Sequence, residues 1–208
     1  MDKAIRTGLE AAAEAVEDFD AAAAETIAPY RDTPVVRAVS LLSEIGDQPP
    51  LRTLCAAMIA AGLASGYPRL TRAGLRMIAA HSLATAAKDF VKHRVDRTRP
   101  RSRGGGDGHR FEAGRNSAKE ETSFPSGHAA GAIAVARAYA REFPEHKAAA
   151  LAAGAAVALA QIPRCAQYPA DVGAGLAIGL ASEALVERLF SPWEPNPLRP
   201  AVPGPGSA

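Results

Sequence analysis

The chain has 208 residues, enough for one domain with a sizeable core and too few for two large ones. Its 24 Lys and Arg nearly balance 22 Asp and Glu, so the net charge of +2 carries no case for a nucleic-acid partner, and an aromatic content of 5% without basic interleaving adds none. Cys55 and Cys165 are too few and too far apart for a disulfide framework or a cysteine metal centre, which leaves the redox compartment open.

The first thirty residues are mostly acidic, and Asp2, Glu10, Glu14 and Glu17 interrupt any apolar run of the kind a cleavable export signal needs. Ile5, Leu9, Ala12, Val16, Phe19, Ala23 and Ile27 recur at spacings of three and four, which predicts an amphipathic helix lying on a surface or a membrane interface. Thr33 before Pro34 predicts a short helix start, and "IGDQPP" its end. Two longer helices follow, over about 50–66 and 69–93. Residues 101–122 hold three consecutive glycines and no apolar period, which predicts a long loop. Helical pattern resumes over Gly127 to Arg141, about 146–162, and Asp171 to Phe190, and no strand-like alternation persists long enough to predict a sheet. Six prolines in the last eighteen residues predict a disordered tail. The expected organisation is therefore an N-terminal amphipathic helix (1–33), an all-α domain (34–190) and a Pro-rich tail (191–208).

Mean hydropathy is near neutral at -0.06. The longest uncharged stretches, 53–68 and 148–163, are each sixteen residues, short of the roughly 18 to 20 expected of a spanning helix. Membrane helices and the buried helices of a soluble bundle both remain open.

Positive charge concentrates between Lys88 and Arg110, an asymmetry that points to a local anion site. In "KHRVDRTRP" (92–100), Lys92 and Arg99 stand where Pro100 forces the chain out of a helix. An ammonium and a bidentate guanidinium there make an oxyanion clamp; the plainer alternative is a solvated basic helix end. In "SFPSGHAAGAIAVA" (123–136), Pro125, Ser126 and Gly127 lead tightly into a helix beginning near His128. Free N–H groups at a helix start favour an anion, Ser126 adds a hydroxyl, Gly127 lets the backbone approach closely, and His128 has the right basicity to move a proton. An ordinary helix cap with an incidental histidine is the alternative.

Together these stretches resemble two signatures of the type 2 phosphatidic acid phosphatase (PAP2) superfamily, which includes vanadium haloperoxidases and bacterial class A acid phosphatases. Lys92 to Pro100 is similar to Lys-x6-Arg-Pro, and residues 125–128 match Pro-Ser-Gly-His, a run expected by chance on the order of once in a thousand such chains. The third signature, Ser-Arg-x5-His-x3-Asp, is degenerate. "QYPAD" aligns Asp171 with the family aspartate, but Gln167 stands at the nucleophilic histidine, Gln161 at the arginine and Ala160 at the serine. The resemblance covers roughly 34–190 and implies a PAP2-like bundle of about six to seven helices.

It also implies hydrolysis of a phosphate monoester or diphosphate, on a phosphorylated small molecule or phospholipid, with no metal and no cofactor. Lys92, Arg99, Ser126 and Gly127 would hold phosphate, His128 would donate a proton to the leaving oxygen, and Asp171 would orient the group at 167. A bacterial-type inner membrane or membrane-associated location follows from the family; soluble cytoplasmic is the alternative. Gln167 cannot replace imidazole, because its amide nitrogen lone pair is delocalised into the carbonyl, although its NH2 can still bind phosphate and Asp171 can hold that amide. Weak or altered turnover is therefore expected, with a non-catalytic phosphate or headgroup binder as the alternative; a haloperoxidase fits worse, since the vanadium-ligating position is again Gln167. Arg164 is placed to return the lost positive charge, Cys165 is a poor substitute nucleophile, and His93 or His109 could activate water.

Overall fold

The computed structural model describes residues 3–101, 111–114 and 122–190. Among them are seven α-helices: α1 (Lys3–Ile27), α2 (Pro34–Ser43), α3 (Gln48–Ala64), α4 (Pro68–Lys92), α5 (Gly127–Glu142), α6 (Lys147–Leu159) and α7 (Pro169–Phe190). The all-α expectation holds with one correction. Val95–Arg97 (β1) and Phe111–Ala113 (β2) form an antiparallel ladder pairing Val95 with Ala113 and Arg97 with Phe111. Strands of three residues are too short for an alternation to register in sequence. The predicted tail 191–208, and 102–110 and 115–121 of the predicted loop, lie outside the described residues.

Helix starts follow their local chemistry. Thr33 caps α2 by accepting from Val36 N–H at 3.4 Å, with Pro34 at the first helical position. The sixth helix ends at Leu159 instead of continuing to 162, because Pro163 disfavours helical geometry in the residue before it and the chain turns over Ala160–Ala166.

Helices α3 to α7 run alternately up and down, through short connections except between α4 and α5, where residues 93–126 intervene. The middle one, α5, packs on α4, α6 and α7 and is buried almost throughout. Its alanines let neighbours come close. A Cβ on Gly175 would stand 2.4 Å from Ser126 O and one on Gly179 2.4 Å from Ala130 O, so these two glycines, one turn apart on α7, set the α5–α7 separation. Leu51, Met77, Val135 and Val186 join α5 alanines in the main core. One end of the bundle is tied by ion pairs: Glu183 receives Arg137 (2.6 Å) and Arg141 (3.0 Å), and Arg76 Nε reaches Glu142 at 2.8 Å.

Among the described residues one helix, α7, is long and apolar enough to cross a membrane. In the middle of α1 two residues of its apolar stripe face outward, Val16 at 47% and Phe19 at 63% exposed, while Asp20 is completely buried against the bundle.

Candidate active site

At the opposite end from the Glu183 cluster, α4 and α6 finish and α3, α5 and α7 begin, and a cleft of about 230 Å³ opens between them. Lys88 and Lys92 come from the last turns of α4, Gly127 and His128 from the first turn of α5, and Gln161, Arg164 and Gln167 from the α6–α7 turn. Arg99 and Arg101 enter after β1, and Glu44, Gly46 and Asp47 from the α2–α3 connection. The sequence-predicted Lys92, Arg99, Gly127, His128, Arg164 and Gln167 are thus brought to one wall-to-wall site.

The arginines are held in place. Arg99 Nη1 donates to Ala166 O (2.9 Å) and Arg164 to Ser43 Oγ (2.9 Å) and Glu44 Oε1 (2.5 Å). Lys88 is ion-paired with Asp89. Burial, together with the charges of Lys88 and Arg99, pushes the Lys92 ammonium down to about 8. The α5 start contributes backbone N–H groups and the helix dipole. Ser126 serves it as a fully buried cap, accepting from Ala129 N–H at 3.3 Å, and does not line the cleft.

His128 Nε2 stands 3.0 Å from Asp47 Oδ1, a charge contact whose angles fall outside those of an aligned hydrogen bond. Burial lowers the imidazole's basicity, Asp47 and Glu44 work against that, and Arg164 and Arg99 add to it. Asp47 itself is raised, by burial first, with the opposing pull of His128 and the added repulsion of Glu44. Though it takes the N-cap position of α3, its side chain makes no capping bond and turns to the histidine.

Asp171 is completely buried and lies behind the cleft instead of in it. Its Oδ1 accepts from Arg97 Nη1 at 2.6 Å, and its Oδ2 from Tyr168 N–H at 2.8 Å and from the Ser123 hydroxyl. It therefore does not hold the Gln167 amide as the sequence suggested: its oxygens are engaged elsewhere, and Gln167 Oε1 is buried with no hydrogen-bond partner. Arg97 completes the arrangement by reaching Asp20 Oδ2 of α1 at 2.7 Å while its guanidinium lies over Phe111 and Tyr168. Gln161 donates to Val157 O at 3.1 Å.

Cys165 is buried, does not border the cleft, and its thiol is pushed up by burial, which removes it as a nucleophile. His93, exposed at the α4 end with Nδ1 2.6 Å from Asp89 O, is also outside the cleft, and His109 lies outside the described residues. Sequence reasoning missed Lys88, Asp47, Glu44, Arg97 and Asp20. For Lys88 the signal was present, four residues before Lys92 and so on the same helix face. Nothing in the sequence marked Asp47 or Asp20 as partners of residues 81 and 77 positions away.

The profile of the PAP2 superfamily matches residues 70–194. The chain belongs to the PAP2 superfamily. Its PAP2 fold is also similar to the crystal structure of the first transmembrane PAP2 type phosphatidylglycerolphosphate phosphatase from Bacillus subtilis, at a TM-score of 0.63 and 18% identity, covering 89% of this chain and 90% of that one. No curated protein matches. The cleft therefore lies in a PAP2 scaffold.

Proposed function

We propose that the chain is a phosphatase of amphiphilic phosphate esters, with the phosphate seated in the cleft between Lys92, Arg99, Arg164 and the α5 N-terminus. The observation that carries this reading is the convergence of those cations on Gly127 and His128 in one cleft. Such a set of fixed donors stabilises the charge that grows on phosphoryl oxygens in the transition state, and His128 moves protons to and from the reacting oxygens.

An apolar partner for the phosphate is supported by a second feature. A groove of about 320 Å³ between α3, α5 and α6, lined by Ile45, Leu54, Met58, Val135 and Val157 among others, starts beside the cleft. Gly46 of the cleft abuts Val157 of the groove, where an added Cβ would stand 2.2 Å from Val157 Cγ1. A phosphorylated lipid fits both at once, with its headgroup on the cations and its tail among the aliphatic side chains. The outward Val16 and Phe19 of α1 and the apolar length of α7 support membrane association for the same reason.

Gln167 favours a second reading, a binding protein that keeps the phosphate pocket and does not turn over. The deciding experiment measures hydrolysis of an aryl phosphate and a lipid phosphate together with binding of inorganic phosphate. Slow turnover, faster on the lipid and lost with phosphate affinity in Arg99→Ala, is expected. Binding without turnover establishes the second reading, and absence of both overturns the phosphate site.

A further inference from the structure

We infer that this cleft hydrolyses its ester by direct attack of water, with His128 as the general base and Asp47 as the residue that positions and polarises it. The inference rests on the phosphatase reading above and replaces the donor role that the family resemblance implies for His128.

The first reason is the want of any other nucleophile among the described residues of the cleft. Gln167 is an amide, Cys165 does not border the cleft, Ser126 is committed to capping α5, and Ser123 donates to Asp171. Lysine, arginine and the two carboxylic acids apart, His128 is the one group among the described residues bordering the cleft that can accept a proton at neutral pH. The second reason is its partner. Asp47 Oδ1, 3.0 Å from Nε2, is a charge contact that favours the ring proton on that nitrogen, and so the lone pair on Nδ1. This is the base-and-orienter arrangement of activated nucleophiles, built from a residue outside all three family signatures. Around the pair stand Glu44 of the α2–α3 connection, Arg164 of the α6–α7 turn, Arg99 after β1, and Lys88 and Lys92 of α4. Glu44 adds negative charge near the imidazole, and Arg164 restrains Glu44 from taking the proton, holding its carboxyl low against the opposing effect of burial.

The step balances. Water oxygen forms a bond to phosphorus while His128 Nδ1 takes a water proton. The bond from phosphorus to the ester oxygen breaks, its electron pair stays on that oxygen, and the Lys92 ammonium supplies the proton that makes the free alcohol. Proton return from His128 to Lys92 through solvent restores the site. An ammonium brought down to about 8 is well matched to that donation.

The test uses the full chain with an aryl phosphate, in wild type, Asp47→Asn and His128→Gln. Expected are inversion of configuration at a chiral phosphate, no phosphoenzyme on acid quench, a kcat lowered about 100-fold or more in His128→Gln, and inorganic phosphate affinity in Asp47→Asn within about twofold of wild type. In Asp47→Asn the acid limb of the kcat profile moves to lower pH, because the carboxylate that favours the protonated ring is gone, a shift that a merely structural role for Asp47 would not produce. A trapped phosphoenzyme, retention of configuration, or an unmoved acid limb overturns the proposal. Phosphate binding without turnover overturns it while leaving the phosphate site standing, and loss of both sinks the two together.

Discussion

Lys92 sets the upper pH limit of the cleft. Its ammonium sits at about 8, lowered by burial and by Lys88 and Arg99, so it is charged at neutral pH and loses its proton as the pH rises past that value. Affinity for the phosphate dianion is expected to fall as the pH rises past about 8, and Lys92→Arg, whose guanidinium stays charged, should remove that decline; titration calorimetry with inorganic phosphate from pH 7.5 to 9.5 reads both. Lys92, Arg99 and His128 were legible because each belongs to a contiguous run whose residue types already imply an anion site. Arg97 was not, although it lies in the same run. Its partners Asp20 and Asp171 are 77 and 74 positions away, and a buried guanidinium with two carboxylates reads, in sequence, like any other charge at a helix end.

Between elements, α7 comes close against α5 near the site. Gly175 and Gly179 bring α7 against the Ser126 and Ala130 carbonyls, at the cap and one turn into the helix that carries His128. Gly179→Ala would place a methyl 2.4 Å from Ala130 O, against rigid backbone, and is expected to cost about 1–3 kcal/mol of stability, measured as a lowered midpoint in denaturant. The helices themselves were visible from period and caps, with α2 starting at Thr33 as its chemistry predicted. Misjudged were those boundaries where a turn outweighs periodicity, as at the α6 end, and the β1–β2 ladder, whose three-residue strands offer no pattern to read.

For the molecule as a whole, the orientation of α1 is the most informative feature of its surface. A helix packed for water turns its apolar stripe inward; this one presents Val16 and Phe19 outward and buries Asp20. If that stripe meets lipid, the protein should float with phospholipid vesicles in a density gradient, and Phe19→Asp should shift it measurably toward the soluble fraction with its melting temperature little changed. No amount of periodicity analysis would have distinguished the two orientations, since the stripe is the same whether it faces a core or a bilayer.

Beneath the cleft, Asp20 and Asp171 share the single guanidinium of Arg97, so two carboxylates are set against one cation in a completely buried layer. Formally that layer keeps one surplus negative charge, and its Asp171 favours the Lys92 ammonium. The crowded cations of the cleft thus have a counterion built into the chain, part of it contributed by α1. Phosphate then arrives at a site already relieved of part of its self-repulsion, and anything that detaches the first helix would withdraw that relief as well as an anchor.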